Sequence, residues 1–262
     1  MSDQDRELLI ETPVPGVQVL RLNRPQAYNA LSRELVDDMR AAVAAAIPER
    51  ARVVVLAASV PGFCSGADLK QRRTMTPDER FAHNRAINAL ANEIAALPIP
   101  TIAAINGIAF GGGCEISLAC DMRFANDDAK IGLTEARLGA IPGAGGTQRL
   151  PRVIGVARAL EMMFSGEPVT AERAGEIGLV NRVVPAARLE EDVIAFASLL
   201  ASRSPRAAGL LKQVVYRGIE MPVAEGLELE GSTIADILAS ADYQEGLAAF
   251  AERRPPRFAD AL

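Results

Sequence analysis

Residues 100–120, PTIAAINGIAFGGGCEISLAC, decide the fold. Residues 101–105 form a short apolar run of the kind found in a buried strand. Asn106-Gly107 and the triplet Gly111-Gly112-Gly113 then make turns, and a helix is predicted from about Gly112 to Ala119. Upstream the same order occurs. Residues 53–57, VVVLA, form a β-branched run bounded by charge and by Pro61-Gly62, and the glycine-bearing turn GFCSGADLK follows at 62–70. Downstream, 122–125 is predicted as a short strand and 130–132 as a strand end, before a third glycine-rich turn, IPGAGGT, at 141–147. Strand, turn and helix in alternation with short loops predict an α/β core with mainly parallel strands.

The flanks fit that core. VQVLRL at 17–22 alternates apolar and polar residues, which predicts a half-buried strand. Residues 32–46 read as a helix with Ser32 at its N-cap, and 77–97 as another. From about Glu190 no strand signal remains. Segments 189–203, 204–219, 222–239 and 242–252 are predicted helical, split by Pro205, by 218–222 and by Ser240. The chain is therefore expected to divide into a core over 1–195, which carries the site, and a C-terminal helical region over 196–262. No fixed-length repeat or low-complexity tract interrupts it.

Composition narrows the function. The 262 residues are 49% hydrophobic and 23% charged, which excludes disorder and a coiled coil. The net charge of −5 argues against a nucleic-acid binder. Cys64, Cys114 and Cys120 are too scattered for a disulfide framework or a zinc cluster, and read as small buried residues in a reducing cytosol. The first residues, MSDQDREL, are acidic and lack the apolar core of a signal peptide, so a cytoplasmic location is expected. The longest apolar run, 94–105, is broken by Pro98 and Pro100 and is too short to span a membrane. His83 is the one histidine. It sits in ERFAHNRAINAL among charged neighbours and is expected at a solvated or rim position. Several-histidine zinc catalysis is excluded, and acid–base chemistry falls to carboxylates.

The two glycine turns at 62–70 and 106–115 each follow a strand and open a helix. Ligands of open α/β sheets bind at such carboxyl ends, where a helix start offers free N–H groups. Side by side, two such turns can aim two N–H groups at one oxyanion; each alone can equally be just a tight turn. Neither has the G-x-G-x-x-G spacing, and no G-x-x-x-x-G-K-[ST] or G-x-S-x-G is present. Glu115 lies just inside the helix opened by the triplet, and Glu135 follows 20 residues later in GLTE. Apolar neighbours raise a carboxyl pKa and suit it to acid or base work near neutrality; a helix-start charge is the structural alternative for each.

These residues lie in a longer set of ordered motifs: LNRPQAYNALS, GFCSGADLK, PTIAAINGIAFGGGCEISLACDMRFA, GLTEARLGAIPGAGGTQRLPRVIG, FSGEPVTAERAGEIGLVNRVVP and GLAAFAERRPPRF. Over nearly its whole length the chain resembles the enoyl-CoA hydratase/isomerase (crotonase) family. The resemblance implies a spiral of β-β-α units with a C-terminal helical trimerisation region. It implies an acyl-CoA substrate, with coenzyme A as part of that substrate and no separate cofactor or metal. Carried over by position, the oxyanion hole would be the N–H groups of Ala67 and Gly112. Glu135 would be the main proton donor to Cα, and Glu115 would activate the water. Ser65, Gly66, Ala67, Asp68, Leu69 and Lys70 would line the coenzyme A path, with Lys70 on a phosphate or simply exposed. Phe250 and Arg253 would reach the coenzyme A of a neighbouring subunit, which implies a homotrimer or homohexamer. Where the family often carries a lysine near the start, this chain has Gln26 and Tyr28.

Retention of both glutamates favours hydration of a trans-2-enoyl-CoA to a 3-hydroxyacyl-CoA. The alternatives are a 3-enoyl-CoA isomerase using Glu135 alone and a methylglutaconyl-CoA hydratase, whose branch the GADLKQRRTM and FAERRPPRF stretches resemble. In the latter, Arg72 or Arg73 would meet an acidic acyl end. RNA binding, known from that branch, is disfavoured because 81–107 carries one arginine, Arg85, opposed by Glu93.

Overall fold

The computed structural model describes residues 6–258. Strands β1 (Leu8–Val14) and β2 (Val17–Leu22) form an antiparallel hairpin around Gly16, whose φ of +78° suits glycine. Next come β3 (Val53–Ala58), β4 (Thr101–Ile105), β6 (Met122–Asn126) and β9 (Arg182–Val184). All pair in parallel, and the large sheet has the order β1-β2-β3-β4-β6-β9. A second sheet is built from β5 (Ile108–Phe110), β7 (Lys130–Gly132) and β8 (Val169–Thr170). From β4 to β7 the chain alternates between the sheets, with β4 and β6 in the large one and β5 and β7 in the small one. Cys64 joins the small layer through a parallel bridge to Ala109. The β-β-α spiral follows from this pattern.

The helices are α1 (Arg33–Ala45), α2 (Leu69–Arg72), α3 (Pro77–Ala96), α4 (Gly112–Ala119), α5 (Gly146–Ile154), α6 (Val156–Ser165), α7 (Ala171–Glu176), α8 (Leu189–Ala201), α9 (Pro205–Gly218), α10 (Val223–Leu238) and α11 (Ala241–Glu252). Local sequence explains several starts. Ser32 Oγ accepts from Leu35 N, and the inward stripe of α1 is Leu35, Val36, Met39, Ala42 and Val43. Thr76 and Glu79 form a capping box for α3, with Pro77 in its first turn. Every residue of α4 is buried, so its sequence has no polar face.

VQVLRL differs from the expected half-buried strand. Leu20, Leu22, Val54, Leu56, Ala103 and Ile105 face the main core with α1, α3 and α4. Val17, Val19, Val53, Val55, Ile102 and Ala104 face the opposite way, against Val193, Ala197 and Ala201 of α8. The polar Gln18 is buried too and donates to Glu49. Periodicity read one covered face because the cover of the other, α8, lies some 170 residues away in the chain. The 195/196 division falls inside α8, and the helices beyond the sheet begin with α9. Lys212 ties α9 to the core by pairing with Asp121 at 2.9 Å.

Short elements escaped the sequence reading. β5, β8 and β9 are two or three residues long, below the length at which alternation shows. α5 starts at Gly146 and contains Pro151, which disguises it. No helix among the described residues is long and apolar enough to cross a membrane.

Candidate active site

The two glycine turns meet. Cys64 N donates to Ile108 O and Phe110 N donates to Cys64 O, both at 2.9 Å, which draws the 62–70 turn onto β5. Leu31 N donates to Gly66 O at 2.8 Å and Asp68 N to Leu31 O at 3.1 Å, so the intervening Ala67 N–H points away from that bridge. A side chain is excluded at Gly66. A methyl group on Gly66 (φ +97°) would lie 2.8 Å from Phe110 O and 3.3 Å from Gly112 N; one on Gly112 would lie 3.6 Å from Ala67 N. The Ala67 and Gly112 nitrogens therefore lie close together. Gly112 opens α4, so its N–H is one that the helix itself does not satisfy.

Glu115 and Glu135 lie on either side of the start of α4. The Glu115 carboxyl, one helical turn on from Gly111, is near enough for its charge to act on Glu135. The space a side chain on Gly111 would fill is bounded by Glu135 Oε1 at 3.0 Å. Gly111 holds φ +49°, and together these demand glycine. Glu115 is 3% exposed, and its Oε1 accepts from Ala144 N at 2.7 Å and Gly146 N at 2.8 Å. Burial raises its pKa, while the amides of Gly146, Ala144 and Gly143 and the charge of Arg149 pull the other way. Glu135 is half-buried at the start of the 3-10 turn Glu135–Leu138, and its Oε2 is buried without a partner. Burial pushes its pKa up to about 7; the Glu115 charge adds to the rise, and Arg72 opposes it. One carboxyl is thus braced by backbone donors, and the other titrates at neutrality. Burial raises both carboxyls, and they differ in their partners: Glu115 is bonded to two amides while Glu135 Oε2 has none, an arrangement that suits a base and an acid in one site.

The remaining expected residues distribute as follows. Asp68 is 7% exposed and structural. It caps α2 through Gln71 N and pairs with Arg24 at 3.1 Å. Ser65 leans on the Pro25–Ala27 turn, with its N donating to Tyr28 O at 3.0 Å. Leu69, Lys70 and Arg73 are exposed, so of the two arginines only Arg72 turns inward. Phe250 is 87% exposed and Arg253 is exposed at the end of α11. Arg52, just before β3, donates to Phe258 O, so Phe258 lies by the amino end of β3, opposite the glycine turns. Within one chain Phe250 and Arg253 do not join the glutamates.

His83 corrects an expectation: it is 3% exposed rather than solvated. It shares the inward stripe of α3 with Ile87, Leu90, Ala91 and Ile94, the spacing that packs on α1. Burial lowers its pKa, as does the Arg72 charge, and Arg72 Nε donates to its Nδ1 at 3.4 Å. The three cysteines are buried, with the Cys64 and Cys120 thiols pushed up to about 12 by burial. Sequence reading missed the amides of Ala144 and Gly146 as partners of Glu115. The available signal was the third glycine turn, whose role nothing local reveals.

A sequence profile described as enoyl-CoA hydratase/isomerase matches residues 14–261. The chain is 41% identical to a protein of Arabidopsis thaliana named probable enoyl-CoA hydratase 2, mitochondrial, over 97% of this chain and 89% of that one. It is 40% identical to the mitochondrial methylglutaconyl-CoA hydratase of Rattus norvegicus, over 98% and 84%. The crystal structure of an enoyl-CoA hydratase from Bacillus anthracis superposes with a TM-score of 0.95 at 41% identity, covering 98% of this chain and all of that one.

Proposed function

Because the chain belongs to the enoyl-CoA hydratase/isomerase family, we propose that it hydrates a trans-2-enoyl-CoA to the 3-hydroxyacyl-CoA. What supports this is a Glu115 braced by two amides, with its charge acting on a Glu135 near neutrality, beside the Ala67 and Gly112 N–H groups, which have no partner among the described residues. The thioester oxygen accepts from Ala67 N–H and Gly112 N–H, which stabilise the enolate that forms. Glu115 takes a proton from water as its oxygen bonds to Cβ. Glu135 gives its proton to Cα, and exchange through water returns the pair to its starting state. Coenzyme A is held along 65–70, with Lys70 free to meet a phosphate. No metal or separate cofactor enters the scheme.

A second reading has its own support. Arg72 is half-buried, carries its charge toward both glutamates, and hydrogen-bonds through its side chain only to His83 among the described residues. A cation so placed, with no carboxylate bonded to it, fits an acyl chain ending in a carboxylate, as in 3-methylglutaconyl-CoA. The test follows loss of enoyl-thioester absorbance with crotonyl-CoA and 3-methylglutaconyl-CoA in parallel. Hydration of either supports the proposal, and loss of neither overturns it. If the acidic substrate is preferred, Arg72→Gln should cut kcat/KM for it by about 10- to 100-fold, the worth of one charge-assisted hydrogen bond. Crotonyl-CoA should change several-fold less, and an equal loss for both would remove the specificity role.

The assembly proposed is a homotrimer or homohexamer built through the C-terminal helices. Leu211, Ile219, Val223, Leu227 and Phe250 stand exposed on α9–α11 and the links between them, a load of apolar surface uncommon on a monomer. Light scattering on the eluting protein should report three or six chains, and Leu227→Glu should lower that number. A wild-type monomer would refute the assembly, and with it the approach of Phe250 and Arg253 to a neighbour's coenzyme A.

A further inference from the structure

The side chains that brace the loop behind Glu115 form a ladder on α3. Asn84, Asn88 and Asn92 recur every fourth residue, so they share one face of the helix. Asn84 Nδ2 donates to Gly143 O at 3.1 Å and Asn88 Nδ2 donates to the same oxygen at 3.3 Å. Asn92 Nδ2 donates to Asn88 Oδ1 at 3.0 Å. Arg149 closes the ladder from α5, donating to Asn92 Oδ1 at 2.7 Å and to Ala144 O at 3.0 Å. The fit is close: a methyl group on Gly143 would lie 2.6 Å from Asn84 Nδ2.

The geometry assigns Asn84 and Asn88 as positioning residues for Glu115, acting through one peptide plane. The carbonyl of that plane is Gly143 C=O, which takes both amide donors. Its other end is Ala144 N–H, which donates to Glu115 Oε1 at 2.7 Å. A peptide is rigid and planar, so fixing the carbonyl aims the N–H. Donors on the carbonyl also polarise the group and strengthen the bond its N–H makes. A single side chain on that oxygen would fix one direction, and two from successive helical turns oppose rotation of the plane. Asparagine lowers helix propensity, so three on one face of α3 act against local preference. The role as a brace for a base rests on the hydration reading; the effect on Glu115 itself does not.

Glu135, Arg72, Arg149 and the Cys114 thiol also face Glu115. Asn84 bonds to none of them, so Asn84→Ala alone isolates the peptide plane, whereas removing Asn88 also takes away the acceptor of Asn92, which holds Arg149. Weakening the Ala144 bond removes a stabiliser of the carboxylate, so the Glu115 midpoint must rise.

The test is a titration of glutamate side-chain carboxyls by ¹³C NMR, with the Glu115 signal identified by its absence in Glu115→Gln. In Asn84→Ala/Asn88→Ala the midpoint should rise by about half a unit or more, the scale of one weakened hydrogen bond. The acidic limb of the kcat/KM profile should move the same way, with kcat down about 3- to 10-fold and KM nearly constant. If the double variant does not fold, Asn84→Ala alone is read in its place, with a smaller shift in the same direction. A midpoint that stays put in a folded variant, whatever its melting temperature, overturns the assignment. If the wild type hydrates no enoyl-CoA while the midpoint still moves, hydration fails and the positioning stands.

Discussion

Glu135→Gln is expected to lower kcat by about 10²- to 10⁴-fold, the usual worth of a positioned general acid. Glutamine keeps the shape that Gly111 leaves open, and it cannot release a proton. A pH profile of the wild type should carry the same signature. The proton Glu135 gives is lost as pH rises through about 7, so kcat/KM should fall above neutrality. The stability of the variant tells whether the fold was disturbed. The Glu135 carboxyl has its folded pKa raised above the ordinary 4.5, so between 4.5 and about 7 the unfolded chain ionises first. Wild-type stability therefore erodes as pH rises through that window. The glutamine variant is spared this erosion, and its melting temperature at pH 8 should match or exceed that of the wild type. A variant that retains near-normal turnover would remove Glu135 as the acid.

Glu115→Gln carries the second large effect, and it separates two reactions. If water is activated at Glu115, hydration should fall by about 10²- to 10⁴-fold. A 3-enoyl-CoA isomerase working through Glu135 alone should lose little. The variant also places an amide where Ala144 N and Gly146 N now donate at 2.7 and 2.8 Å. Its carbonyl oxygen can keep both bonds, which makes it a gentler change than alanine. Glutamine is neutral, so the like-charge contribution that raises Glu135 disappears, and the Glu135 midpoint should drop. Residual activity, if measurable, should then have its alkaline limb at lower pH. Near-normal hydration by this variant would exclude Glu115 as the base, and an unmoved limb would detach the two carboxyls from each other.

The sequence carried most of the framework. The cap at Ser32, the helical stretch at 77–97, apolar runs at 53–57 and 101–105, and the four C-terminal helical segments are local signals, and they correspond to α1, α3, β3, β4 and α8–α11. Glycine turns also announce themselves, since positive φ and close approach exclude a side chain at Gly66 and Gly111. Glu115 and Glu135 were legible as candidates because each has apolar neighbours and lies beside a glycine-rich turn.

Their meeting was not legible in spacing alone, and it came from the family resemblance. Twenty residues and two strands separate them, and only the crossing from the large sheet to the small one brings Glu135 onto Gly111. The same holds for the Ala67 and Gly112 nitrogens, joined by the Cys64 bridge to Ala109. His83 shows the limit most sharply. Charged neighbours in sequence said rim, yet helical rotation puts it on the stripe with Ile87 and Leu90, and the packing of α3 on α1 buries it. The sequence by itself thus determined where the chain turns, caps and hides apolar surface, because those are settled within a few residues. Tertiary structure alone decided which faces are covered twice and which amides reach Glu115. It also decided how far burial lifts each carboxyl, because desolvation and hydrogen bonding depend on segments distant in the chain.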